Sequence, residues 1–179
     1  MKHLYFARHG LSEMNKIGLF AGQIETPLTT EGRHQAKQAG IKAQELGIDH
    51  IITSPYSRTL DTAKIIATEI GLPLNNIETN RLFVERNLGA LEGTPYHAKL
   101  DLDIDGVTDI ETAVDLQYRL ELAWQYLKSL KYDTVLVIGH GASGRMLRHV
   151  INPEIPFKFD TLALKDHYKL GNAEIVQLI

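Results

Sequence analysis

The sequence predicts an α/β protein: a three-layer α/β/α domain whose sheet is mostly parallel, with an antiparallel edge strand. Three observations carry that prediction. Short apolar and β-branched runs alternate with segments whose apolar residues recur at helical spacing, the pattern of strands crossing over through helices. The last two strand-like runs are separated by Gly171-Asn172, residues that suit a reversing turn, which sets an antiparallel strand at the sheet edge. A chain of 179 residues is long enough for one real core and short for two, and no repeat or low-complexity linker divides it, so residues 1–179 are expected to form a single domain.

The elements follow in order. Lys2 to Ala7 reads as a short buried strand closed by polar residues. A helix is expected from near Thr30 to Gly47, with Ala36, Ala39, Gly40, Ala43 and Leu46 on one stripe. "IDHIITS" is a β-branched strand. The next helix is expected to open with Ser54 as N-cap and Pro55 in its first position, and to stop at Gly71 and Pro73. "NNIETNRLFVERNLGALEG" reads as a short strand entering a glycine-rich loop. Helical spacing returns from Thr108 to Lys131, where Val114, Leu116, Tyr118, Leu120, Leu122, Ala123, Trp124 and Leu127 predict a broad apolar face. "DTVLVIG" is the strongest strand, "ASGRMLRHVI" a short helix ended by Asn152-Pro153, and "FDTLALK" and "AEIVQLI" the two closing strands.

Composition narrows the partners. The net charge is −3, with 22 acidic and 19 basic residues, so no global field favours nucleic acid or an anionic membrane surface. No cysteine is present, which excludes disulfides and thiolate metal sites and is compatible with a reducing compartment. With no signal-peptide core or spanning helix in the sequence, a cytoplasmic protein is expected, as a monomer or homodimer acting on a small molecule.

In parallel α/β sheets ligands gather beyond the carboxyl ends of the strands, where loops converge and helix N-termini present N–H groups. Three strands deliver chemistry to that edge. The first ends in Arg8-His9, the second precedes Ser57-Arg58, and the "VLVIG" strand ends at His140. Two guanidinium groups, two imidazoles and a helix N-terminus together suit a phosphate dianion. Glu85 lies on a loop able to fold over the same edge. Each residue alone has an ordinary structural explanation, a satisfied histidine or a solvated charge; their joint placement is what points to a site.

Four stretches, "RHGLSEMN", "SPYSRTLDTA", "ERNLGALEG" and "VLVIGHG", together resemble the motifs of the histidine phosphatase superfamily, also called the phosphoglycerate mutase-like family. The resemblance implies that His9 is the nucleophile and forms a phosphohistidine, that Arg8, Arg58 and His140 hold the phosphoryl group, and that Glu85 protonates the leaving oxygen. It also implies further polar contacts from Ser12, Asn15 and Gln23. Gly141 and Arg86 complete the expected substrate-binding set, Arg86 as a cation for a second anionic group. No cofactor and no metal is expected. Glu25 stands where mutase-like members carry aspartate, a position peripheral to the chemistry. The implied roles are physically coherent, because neighbouring guanidinium charges disfavour the imidazolium form and so keep a nucleophilic histidine neutral.

Two other motifs compete. Gly139 to Gly144 spells G-x-G-x-x-G between a strand and a helix, but no convincing parallel strand with an acidic ribose ligand follows. Asp101, Asp103, Asp105, Gly106 and Asp109 approach a calcium loop, but Thr112 stands where the bidentate glutamate belongs. An acidic lid over residues 86–110 is the better reading. Six carboxylates and no basic residue between Leu100 and Asp115 would repel a highly anionic substrate. Only 55 residues separate Glu85 from His140, leaving little room for the larger insertion that mutases of the resembled family use. The expected function is therefore a phosphomonoester hydrolase acting on a small phosphorylated metabolite. A cofactor-dependent phosphoglycerate mutase and a non-catalytic phospho-ligand binding module are the alternatives.

Overall fold

A computed structural model describes residues 1–96, 109–157 and 170–179. Among the described residues the strands and α-helices are β1 (His3–Arg8), α1 (Glu13–Lys16), α2 (Thr30–Ala43), β2 (His50–Thr53), α3 (Ser57–Glu69), β3 (Ile77–Thr79), α4 (Ala113–Ser129), β4 (Thr134–Gly139), α5 (Gly141–Ile151) and β5 (Ile175–Gln177). The sheet order is β3-β2-β4-β1-β5. All neighbours run parallel except β5, which lies antiparallel to β1. The expected edge strand is thus present, whereas "FDTLALK" and residues 97–108 of the expected lid lie outside the described residues.

Strand periodicity builds the layers. Successive side chains on a strand point to opposite faces. On β4, Val135 and Val137 join Leu4 and Phe6 of β1 under α4 and α5. Leu136 and Ile138 alternate with them and join Ala7 under α2 and α3. The helices bring mainly alanines to the second layer, Ala39, Ala43, Ala63 and Ala67 with Ile66, and mainly leucines to the first, Leu116, Leu120, Leu127 and Leu147 with Ala123. Truncating a leucine such as Leu120, fully buried in that larger layer, costs about 2–5 kcal/mol.

Local signals explain most of the boundaries. Thr29 caps α2 by accepting from Gly32 N at 2.8 Å, and Gly47 ends the short 3₁₀ extension in the left-handed region, φ 64°. Two expectations are corrected. The second long helix begins at Ser57, not at Pro55, and Ser54 is not its cap. The cap comes from Glu25, whose Oε2 accepts from Ser57 N at 3.1 Å and Ser57 Oγ at 2.6 Å, a carboxylate seated on a helix N-terminus. The fourth helix begins at Ala113 behind a Thr112 cap, later than Thr108, and its apolar face is narrower than the sequence implied. Leu116, Leu120, Ala123 and Leu127 are buried, whereas Val114, Tyr118 and Leu122 are 76%, 64% and 38% exposed.

The register brings the carboxyl ends of β1, β2 and β4 together, because Arg8 pairs with Gly139 and Thr53 with Ile138. No helix among the described residues is long and apolar enough to cross a membrane.

Candidate active site

His9 leaves the end of β1 with its backbone N donating to Gly139 O at 3.0 Å, and its side chain is 3% exposed. Its Nδ1 lies 2.6 Å from Gly10 O. A carbonyl oxygen can only accept, so the proton sits on Nδ1 and Nε2 keeps its lone pair. Burial, then the charges of Arg8 and Arg58, hold the ring well below the usual histidine range, against the opposing pull of the Gly10 carbonyl. Gly10 N in turn donates to Thr62 Oγ1 on α3, and Asn172 Nδ2 donates to His9 O, so the His9–Gly10 peptide is fixed at both its N–H and its carbonyl.

His140 directly follows β4 and is the N-cap residue of α5. Arg58 Nε donates to its Nδ1 at 3.3 Å, which puts the proton of the neutral ring on Nε2, and Nε2 donates to Ser54 Oγ at 2.8 Å. Burial, then the charge of Arg58, holds this ring well below its usual range as well. The two imidazoles meet edge to face, with centroids 5.3 Å apart. His140 was expected to hold the phosphoryl group; here its ring nitrogens partner Arg58 Nε and Ser54 Oγ, so contact with an anion through Nε2–H means exchanging Ser54 Oγ for it.

Arg58 is fully buried on the first turn of α3. Its terminal nitrogens donate to Ile24 O at 2.8 Å and Gly22 O at 2.7 Å, which leaves one N–H on each for an anion. Arg8 donates to Leu170 O, and its Nε is inaccessible and without a partner.

Glu85 does fold over this edge. Its carboxylate accepts from Ala142 N at 3.1 Å, Ser143 N at 2.9 Å and Arg86 N at 2.9 Å, at the N-terminus of α5. The loop is held from both sides. Gln23 Nε2 donates to Glu85 O at 3.0 Å, and Arg119 of α4 donates to Leu82 O, Val84 O and both carboxylate oxygens of Glu111. Arg86 is a correction. It is fully buried and its Nε donates to Glu111 O at 2.6 Å, so it braces the loop rather than greeting a second anion.

The remaining expected residues are near this cluster with different tasks. Ser12 caps α1 through Asn15 N at 3.4 Å. Asn15 donates to Tyr96 OH at 2.9 Å and leaves a buried, unpartnered Oδ1. Gly141 begins α5, beside Glu85, Arg8 and Arg145. Sequence reasoning missed Ser54, Asn172, Arg119 and Arg145 as site neighbours. Ser54 had been read as a helix cap, and nothing in the local pattern marks the others.

The G-x-G-x-x-G reading also closes. Glu85 occupies the helix N-terminus that a pyrophosphate would need, and no parallel strand follows α5 among the described residues. Gly144 serves packing, since a methyl group there would lie 2.3 Å from Phe6 Cζ. Of the calcium-like positions only Asp109 is described, and its Oδ2 accepts from Ala90 N. Among the described residues no group of three or more His, Asp or Glu is placed to hold a metal ion.

The sequence profile of the histidine phosphatase superfamily (branch 1) matches residues 4–170. The chain belongs to this superfamily. Among its relatives is a probable phosphoglycerate mutase GpmB of Escherichia coli O1:K1 / APEC, 44% identical over 92 residues, which are 51% of this chain and 41% of that protein. The chain thus aligns with about two fifths of the curated relatives' length. Rv3214 from Mycobacterium tuberculosis shares the fold at TM-score 0.77 and 28% identity, over 97% of this chain and 89% of its own. YhfR of Bacillus stearothermophilus superposes at TM-score 0.83 with 24% identity, over 99% and 90%. The superfamily's phosphoglycerate mutase-like α/β fold is the one described above.

Proposed function

We propose that this histidine phosphatase superfamily chain hydrolyses a small phosphomonoester through a phosphohistidine on His9, without a required metal ion. The observation that carries the reading is the clamp on His9: Nδ1–H is fixed to Gly10 O, and burial with two guanidinium charges keeps Nε2 unprotonated. In the first half-reaction Nε2 bonds to phosphorus, the bond to the leaving oxygen breaks, and that oxygen takes the proton of the Glu85 carboxyl group. Arg8 and the two free N–H groups of Arg58 stabilise the equatorial oxygens. His140 joins them by exchanging Ser54 Oγ for an anionic acceptor, a stronger hydrogen bond. In the second, water bonds to phosphorus, the phosphorus–Nε2 bond breaks, and Glu85 takes a proton from water.

A phosphoglycerate mutase is the second reading, favoured by the 92-residue match to the probable mutase GpmB. The acidic stretch 100–115 and the short Glu85 to His140 interval favour the hydrolase. The test is phosphate release from a panel of phosphomonoesters with chelator present, for wild type and His9→Ala. Release by the wild type alone, with acid-labile label on His9, supports the hydrolase. Transfer of the label to a second monophosphate without release supports the mutase, and equal activity of the variant overturns both.

A further inference from the structure

Arg145 was absent from every expectation. It lies on α5, one turn beyond Gly141 and on the same side of the helix. A methyl group placed on Gly141 would sit 3.4 Å from Arg145 Nη1, 3.7 Å from Glu85 Oε2 and 3.8 Å from Arg8 Cζ. Three charged groups thus surround one small volume beside the helix N-terminus.

Among the described residues Arg145 makes no ion pair. The side chain is half-buried, and its Nε is inaccessible and makes no hydrogen bond. Burial pulls it down to about 10, opposed by the attraction of Glu85 and reinforced by the repulsion of Arg8. It is therefore still a cation at neutral pH. A sheltered cation next to a second arginine is destabilising unless a nearby anion offsets it. Glu85 is the only carboxylate among the described residues whose charge acts on it.

We propose that Arg145 is a positioning residue that acts through Glu85, stabilising the carboxylate that Glu85 becomes when it gives its proton to the leaving oxygen. This rests on the phosphohistidine mechanism above. As the phosphorus–oxygen bond breaks and the proton moves from Glu85 to the leaving oxygen, negative charge appears at Glu85, where Arg145 already stands. As water adds to phosphorus and the Nε2 bond breaks, the same cation holds Glu85 as the carboxylate that receives the proton from water. On this reading Arg145 acts on the reaction only through Glu85. Its effect should therefore depend on how much the leaving group needs that proton.

The test is single-turnover formation of the phosphohistidine from two esters, a small alkyl phosphate turned over by the wild type and p-nitrophenyl phosphate, whose leaving group needs no proton. Arg145→Met is expected to slow the alkyl reaction by about tenfold or more and the p-nitrophenyl reaction by less than about twofold. Arg145→Lys should recover most of the loss. In a Glu85→Gln background Arg145→Met should add nothing, because the group it acts through is gone. Where Arg145→Met fails to fold, Arg145→Gln compared with Arg145→Lys gives the same contrast. Equal slowing of both esters, or full additivity with Glu85→Gln, overturns the inference while leaving the mechanism standing. Failure of the wild type to form phosphohistidine from either ester overturns the mechanism and the inference with it.

Discussion

The two His-Gly endings, His9-Gly10 after β1 and His140-Gly141 after β4, share a dipeptide and a sheet edge, yet the chain gives their rings opposite surroundings. After β1 the backbone turns away into a loop, so the Gly10 carbonyl is free to take the Nδ1 proton of His9. After β4 the backbone enters α5 at once. The carbonyl of His140 accepts from Gly144 N inside the helix, and its ring is partnered by side chains instead, Arg58 on Nδ1 and Ser54 on Nε2. One ring is left with an open lone pair and the other with none. On the proposed mechanism the attacking ring is set apart from the other by its hydrogen-bond partners, a backbone carbonyl for His9 and two side chains for His140.

The largest test of that difference is to remove each ring in turn. His9→Ala should lower turnover by about 10³-fold or more, as expected for loss of a nucleophile. His140→Gln should lower it by about 10²-fold, since an amide still offers one polar contact to Arg58. Steady-state kinetics on one phosphomonoester checks both, and equal losses would erase the distinction between attacking and orienting ring.

Protonation gives a smaller effect in which the two rings should behave alike. Both are held well below the usual histidine range by burial, so above about pH 6.5 both are neutral in the folded and unfolded states, and their full contribution to stability is present. As pH falls below that value the unfolded chain takes up protons that the folded chain refuses. Stability is then lost, at up to about 1.4 kcal/mol per pH unit for each ring. Denaturant unfolding should show lower stability at pH 5.5 than at pH 7.5, and His9→Gln or His140→Gln should each reduce that difference. The smallest effect belongs to Ser54→Ala. Removing the hydroxyl leaves the His140 Nε2–H without its acceptor, with an expected cost of about tenfold in kcat/KM, read by steady-state kinetics on the same phosphomonoester.

Much of this was legible from the chain alone where the signal was local. The alternation of strand runs and helical stripes anticipated the layered sheet, and Gly47, Gly71 and Asn152-Pro153 mark ends that the structure keeps. The cluster residues Arg8, His9, Arg58, Glu85 and His140 were legible because strand ends and a helix start carry them to one edge. The helix boundary near Ser54 was not, because its cap is Glu25, 32 residues away in sequence. The exposed side of α4 was misread because a helix with apolar residues on two sides does not say which side meets the sheet. Arg86 was misread for a similar reason: a cation beside a glutamate motif looks like a ligand contact until its carbonyl partner, Glu111 O, is known.

The sequence by itself determined the order and period of the elements and the chemical groups at each strand end, because these depend on neighbours a few residues apart. The tertiary structure decided which ring nitrogen of His9 is open and what partners those of His140, where the Glu85 carboxylate rests, and that Arg145 stands beside it outside every ion pair among the described residues. Those outcomes depend on contacts such as Asn172 to His9, 163 residues apart, and Ala142 to Glu85, 57 apart. Such contacts exist only once the β1–β4 register and the packing of α5 are fixed, and no local pattern encodes their hydrogen-bond geometry.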